Sequence, residues 1–144
     1  MKSILFVCLG NICRSPLAEG IAKKLNSEYY IDSCGTGSWH IGETPCANSI
    51  KIASQHGIDI SRYRARQFSS EDIARFDHII ALDESNLNDL KLLGATNAIK
   101  LGSFGYDNMD VPDPYFFNGF EGFEKVYAMI HDCVEQLLHE LETK

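Results

Sequence analysis

The sequence has no hydrophobic run approaching the roughly 20 residues needed to cross a membrane. Its nearest approach to a targeting segment is "MKSILFVCLG", one lysine and a short apolar run, with no small-residue cleavage site before "NICRSP". Positive charge is also short: 13 Lys and Arg against 20 Asp and Glu leave a net charge of −7. Nucleic acid and anionic membrane both require a positive field, so neither is an expected partner and membrane insertion is not expected. Cysteine is present but unpatterned. Its five copies, at 8, 13, 34, 46 and 133, are odd in number, scattered and without a CxxC pair. That spacing argues against a secreted disulfide framework and against a structural zinc site. A reducing, cytoplasmic location is the expectation, and it would keep a reactive thiol free. Repeats, low-complexity tracts and linkers are missing too, and 144 residues suit one domain, 1–144, with a real core.

What is there alternates between strand-like and helix-like segments. "ILFVC" (4–8) is a continuous apolar run, as in a strand buried on both faces. Ser15 and Pro16 read as an N-cap and a first-turn proline opening a helix, with Leu17, Ile21 and Leu25 on its apolar face. "YYIDSCG" (29–35) reads as a second strand, and Cys46, Ile50 and Ala53 mark a helix that Gly57 ends. "SSEDIARF" (69–76) has Ser69 and Asp72 at capping-box spacing. "DHIIAL" (77–82) is a third strand, "ESNLNDLKLLG" a helix and "AIKLG" (98–102) a fourth strand, followed by a long loop from Ser103 to Gly119. From Phe120 to Leu141 apolar residues step by three and four, a long amphipathic helix. This order predicts an α/β fold: a four-stranded parallel sheet with helices on both faces. Ligands of such sheets bind at the carboxyl ends of strands, which is where Cys8 falls.

Cys8 is followed six residues later by Arg14, between a strand end and a helix start. Backbone amides of residues 9 to 14 (Leu9, Gly10, Asn11, Ile12, Cys13 and Arg14) can form a nest around an oxyanion, assisted by the helix amino end. Gly10 tolerates unusual backbone angles there. Arg14 can clamp two oxygens with its planar fork. The same positive surroundings, with the Ser15 hydroxyl, would favour the thiolate of Cys8. The loop after the first strand thus reads as a phosphate-binding loop. A buried strand cysteine beside a surface arginine is the competing reading, because chance alone supplies roughly 0.17 such pairs at this composition.

Transfer of a phosphoryl group to a thiol also needs an acid for the leaving oxygen. "MDVPDPYF" offers Asp110 and Asp113, and the flanking Pro112 and Pro114 stiffen Asp113. Simple turn chemistry at Asp-Pro is the alternative. Trp39, the only tryptophan, with Tyr115 and Phe116 after the acid, can wall a slot for aryl phosphates or can merely pack down. Cys34, Cys46 and Cys133 read as buried small hydrophobes. Arg62, Arg64 and Arg66 read as a solvated patch, with steering of anionic substrates as the alternative.

The segments "FVCLGNICRSP", "DSCGTGSWHIGETP", "RARQ", "DESNL" and "DPYF", in that order, resemble the low-molecular-weight protein tyrosine phosphatases over essentially the whole chain. The resemblance implies a hydrolase with Cys8 as nucleophile, Arg14 as phosphate clamp and Asp113 as general acid. It implies Trp39 and Tyr115 as walls of a phosphotyrosine slot, with His40 and Leu9 near its mouth. Phe116 stands where many members have a second tyrosine. Asn11, Ser15 and Ser33 match residues that brace the loop, and Tyr63 stands where a histidine often completes that brace. Cys13 becomes a redox candidate, able to form a reversible disulfide with Cys8 that protects against over-oxidation. No cofactor and no metal are implied. Phosphotyrosine-containing proteins or small aryl phosphates are the implied substrates, and the resemblance admits a cognate tyrosine kinase as partner. The "WHIGETP" loop hints at a bacterial source. Two rivals remain: an arsenate reductase of the same fold, for which the downstream cysteines are too scattered, and a phosphoanion-binding module, for which a nucleophile is superfluous.

Overall fold

In the computed structural model, which describes all residues except Met1, Ser27, Asn118 and Lys144 and leaves out the Phe116 side chain, strand β1 (Ser3–Cys8) is buried along its whole length. Its side chains alternate between two cores. Ile4, Phe6 and Cys8 enter one with helix α1 (Arg14–Leu25) and helix α5 (Glu121–Glu142), whereas Leu5 and Val7 enter the other with Leu87 and Leu90 of helix α4 (Glu84–Leu92). Period-two alternation with both faces covered explains why the sequence is apolar without a break. Each such fully buried side chain contributes about 1.5–3 kcal/mol, and Phe6→Ala would cost about 3–5 kcal/mol.

Strands β2 (Tyr30–Gly35), β3 (His78–Ala81) and β4 (Ile99–Lys100) complete an all-parallel sheet of order β2-β1-β3-β4. Cys8 pairs with Gly35 on one side, and Val7 with Ala81 on the other. The chain leaves β1 for one neighbour and later returns to the other. The carboxyl end of β1 is therefore the switch point where such sheets open a crevice.

Helices α2 (Ala47–Gln55) and α3 (Ser70–Arg75) lie near the expected positions. Gly57 takes the positive φ (77°) needed to leave α2, and Ser69 and Asp72 form the expected capping box.

Most boundaries shift by a residue, and two differ in a way that changes a side chain's role or the chain's path. Helix α1 begins at Arg14 with Cys13 at the N-cap, so Ser15 is not the cap. Its hydroxyl is instead engaged by Cys8 and Asn11 inside the loop. Pro16 still falls in the first turn, where its missing N–H costs nothing. The fourth strand is shorter than 98–102, because Leu101–Ser103 winds into a 3-10 turn. There Gly102 lies so close to the Met109 carbonyl that a Cβ would collide with it, and the chain turns away from the sheet.

Candidate active site

The loop from Cys8 to Arg14 is held from outside by its carbonyl groups. Those of Cys8 and Leu9 accept hydrogen bonds from the amides of Thr36 and Gly37, at 3.0 and 2.9 Å. The Ile12 carbonyl accepts from the Cys46 amide at 2.7 Å, and that of Cys13 from the Ser49 hydroxyl at 3.0 Å. With carbonyls drawn outward, the opposite side of the loop is left to amides, the arrangement of an anion nest. The Asn11 amide donates to Cys8 Sγ at 3.3 Å. Asn11 reaches that position with φ at 59°, a left-handed conformation that asparagine tolerates better than most residues.

Cys8 Sγ lies 3.0 Å from Ser15 Oγ. Asn11 Nδ2 donates to Ser15 Oγ at 2.8 Å and to Ser33 Oγ at 2.9 Å, while Asn11 Oδ1 accepts from the Arg66 amide. Ser33 Oγ in turn donates to Glu19 Oε1 at 2.6 Å, and Glu19 pairs with Lys23 at 2.6 Å. Burial pushes the Glu19 carboxyl above its ordinary value, only partly offset by the hydrogen bonds from Lys23 and Ser33. Tyr63, which stands where the resemblance implies a histidine, has its ring 4.9 Å from the Lys23 ammonium. The brace therefore ends in Glu19 and Lys23, neither of which stood out in the sequence. Glu19 and Lys23 are one helical turn apart, and that i,i+4 spacing was the available signal.

Arg14 is buried, and its Nη1 donates to Asp83 Oδ2 and to the Val111 carbonyl, both at 2.8 Å. Asp83 caps α4 by accepting from the Asn86 amide, so one carboxylate anchors both a helix and the guanidinium. It went unassigned in the sequence because an N-cap aspartate is common.

Asp113 reaches the same place on a pinned loop. The Val111 amide donates to the Leu82 carbonyl just beyond β3. Asp110 accepts from Lys100 Nζ and from the Glu84 amide, both at 2.9 Å. Burial alone would raise the Asp110 carboxyl, but those two donors outweigh it and hold it below its ordinary value. Asp110 is thus committed to anchoring, whereas Asp113 accepts from the Tyr115 amide at 2.9 Å and faces the cleft.

Cys8, Leu9, Gly10, Ile12, Cys13, Arg14, Trp39, His40, Asp113 and Tyr115 line one cleft of about 210 Å³. Asn11, Ser15 and Ser33 lie behind it, and the Phe116 side chain is outside the described residues. The His40 ring rests on Gly10, where a Cβ would press on it, and Nδ1 lies 3.0 Å from Glu43. Tyr115 packs edge-on against Phe123, with centroids 5.3 Å apart. Among the described residues, no group of three His, Cys, Asp or Glu side chains clusters as a metal site.

Two side-chain readings are corrected. Arg66 is not a free surface charge: although its side chain is 32% exposed, it binds Asp32 at 3.1 Å and grips Asp72 with two nitrogens, each at 3.0 Å. Cys46 is not a buried hydrophobe. The bond between its amide and Ile12 seats the start of α2 against the loop, and Cys46 forms a disulfide with Cys13. In this structure Cys13 is bonded to Cys46, and Cys8, Cys34 and Cys133 are buried thiols. Burial pushes Cys133 up to about 12, and Cys34 well above the ordinary thiol range, so both are inert at neutral pH.

Residues 3–144 match the low molecular weight phosphotyrosine protein phosphatase family. A pig (Sus scrofa) protein of that name is 38% identical over 155 residues, covering 97% of this chain and 96% of its own. The low molecular weight protein-tyrosine-phosphatase YfkJ of Bacillus subtilis is 42% identical over 154 residues, covering 99% and 97%. Its crystal structure superposes with a TM-score of 0.90 at 38% identity, over 99% of this chain and 96% of that one. The crystal structure of a Drosophila arginine phosphatase superposes with a TM-score of 0.88 at 36% identity, covering 98% of each chain. Matched from its third residue to its last and superposing on these folds over nearly its whole length, the chain belongs to the low molecular weight phosphotyrosine protein phosphatase family.

Proposed function

We propose that this chain, as one domain, hydrolyses phosphotyrosine and related aryl phosphate monoesters through a phosphocysteine. The observation that carries the reading is the cleft that brings Asp113, distant in the sequence, to Cys8 and Arg14 of one loop. Cys8 Sγ attacks phosphorus as its bond to the ester oxygen breaks. Arg14 and the loop amides hold the three remaining oxygens, where the transition-state charge is spread. Asp113 gives its proton to the departing phenolate oxygen, then takes one from the water that cleaves the phosphocysteine. Ser15 stabilises the sulfur as it leaves. Trp39 and Tyr115, both exposed at the rim, supply flat walls that suit an aryl ring. The expected substrates are phosphotyrosyl proteins or small aryl phosphates in the cytoplasm, with a cognate tyrosine kinase among the partners. No helix is long and apolar enough to cross a membrane among the described residues.

Turnover of p-nitrophenyl phosphate by wild type, Cys8→Ser and Asp113→Asn tests this. Cys8→Ser should be inactive. Asp113→Asn should lose roughly 10²–10⁴-fold in kcat, and less with leaving groups of lower pKa. Full activity in Cys8→Ser overturns the reading. Phosphoarginine cleaved in preference to phosphotyrosine redirects it to the chemistry named for the Drosophila protein. Thiol-dependent arsenate reduction without phosphatase activity gives it to the reductase.

A further inference from the structure

Ten large hydrophobic side chains stand exposed among the described residues, and four of them line a single groove: Leu9, Trp39, Leu92 and Leu93. The groove encloses about 320 Å³, ample for a side chain of another molecule. Leu92, on the last turn of α4, is 87% exposed, and Leu93 follows it as the cap. Large apolar residues concentrated in this way mark a binding surface more often than residues scattered singly.

The position of the groove selects its occupant. Leu9 and Trp39 line both this groove and the cleft that holds Cys8, so the two share a wall. The wall is built, not incidental. A Cβ on Gly37 would run into the Trp39 ring, so only glycine lets the indole lie flat against the loop. Thr36, just before Gly37, donates its hydroxyl to Asp89 of α4 at 3.4 Å, joining the Trp39 loop to the helix that carries Leu92. Asp89 is the one charged group among the lining residues described. An acidic neighbour in the substrate would meet repulsion there, and a neutral or cationic one would not.

We propose that this groove is a specificity subsite for the phosphotyrosyl peptide itself, taking an apolar side chain from one flank of the phosphotyrosine. The proposal rests on the phosphatase reading of the neighbouring cleft. An extended chain advances about 3.4 Å per residue. A residue one to three places from the phosphotyrosine therefore passes over the Leu9 and Trp39 rim and drops its side chain against Leu92 and Leu93. Peptides with acidic residues on that flank are disfavoured by Asp89. Small aryl phosphates end before the rim and do not sense the groove.

A positional scan of phosphotyrosyl peptides tests this, with Leu, Gly, Lys or Glu placed at each site from three before to three after the phosphotyrosine. Wild type should show kcat/KM about tenfold higher for Leu than for Gly, on one flank only, with Glu the poorest residue there. Leu92→Asn/Leu93→Asn should reduce that preference to twofold or less. Asp89→Lys should reverse the ranking of Lys and Glu. Leu92→Asn/Leu93→Asn should turn over p-nitrophenyl phosphate within twofold of wild type, and the Asp89→Lys scan is read as ratios between peptides. A flat scan in wild type, or a preference that survives the double variant, overturns the subsite while leaving the phosphatase reading intact if p-nitrophenyl phosphate is hydrolysed. Absence of any aryl phosphate turnover in wild type overturns both. A slower-sedimenting Leu92→Asn/Leu93→Asn protein, with an unchanged scan, assigns the patch to contact between two copies and also overturns the proposal.

Discussion

Arg14 and Asp83 meet at 2.8 Å between the phosphate loop and the start of α4, with side chains only 10% and 19% exposed. A guanidinium so held arrives at the cleft already oriented, at the cost of burying an ion pair. Asp83→Asn keeps the helix cap, since asparagine caps as well as aspartate, but removes the charge facing Arg14. The expected result is a fall of about 10–100-fold in kcat/KM for p-nitrophenyl phosphate, with weaker inhibition by inorganic phosphate, as displacement of a positioned group produces. Unchanged kinetics would show that the Val111 carbonyl alone orients Arg14.

Lys23 is the partner of a buried carboxylate, which makes its contribution pH-dependent. Glu19 ionises near its ordinary 4.5 in the unfolded chain, and burial raises that value in the folded one. Below both values Glu19 is neutral in either state, and Lys23 has little to neutralise. Above them, folding must hold a buried carboxylate, and without the ammonium this is harder. The stability gap between wild type and Lys23→Met should therefore be small near about pH 4 and open as pH rises toward about 7. At the upper end it should reach about 1–2 kcal/mol. Urea unfolding at the two pH values measures it.

Cys13 and Cys46 close a loop with a sequence separation of 33. Non-reducing peptide mapping should recover this pair, with Cys8, Cys34 and Cys133 as thiols. Cys46→Ser should lower unfolding stability under oxidising conditions by up to roughly 3–4 kcal/mol, the chain-entropy value for such a loop. It also frees the Cys13 thiol. Mild peroxide should then convert Cys8 to a sulfenic acid, which condenses with Cys13 to a disulfide and water. Cys8 sulfonate in its place would mean that Cys13 does not protect the nucleophile.

Gly37 makes room for the Trp39 ring, so Gly37→Val should push the indole off its seat. The loss should fall on aryl substrates: kcat/KM for p-nitrophenyl phosphate down about tenfold, and that for a small alkyl phosphate nearly unchanged. Equal losses on both would show that the substitution disturbs Cys8 or Arg14 instead of the wall.

Much of this was legible in the residues. The unbroken apolar run 4–8, the capping box at Ser69 and Asp72, and the stepped apolar face of α5 each announce their element through local periodicity or local hydrogen bonding. Cys8, Arg14 and Asp113 stood out as candidates because their chemistry is rare in combination and their flanks are distinctive. That Asp113 meets Cys8 and Arg14 in one cleft was not derivable from spacing; the flanking prolines already favoured Asp113 over Asp110, and the structure adds that Lys100 engages Asp110.

By itself, the sequence determined the alternation of strand and helix, the parallel sheet and the strand end at which a thiol would emerge, because these follow from patterns only a few residues long. Only the tertiary structure decided the partners of several polar side chains. It left Ser15 to the sulfur and gave the cap position to Cys13, tied Arg66 to two aspartates, and paired Cys46 with Cys13. The physical reason is that a buried charge or hydroxyl must find a partner. That partner is whichever group the packing brings within about 3 Å, regardless of how far away it lies along the chain.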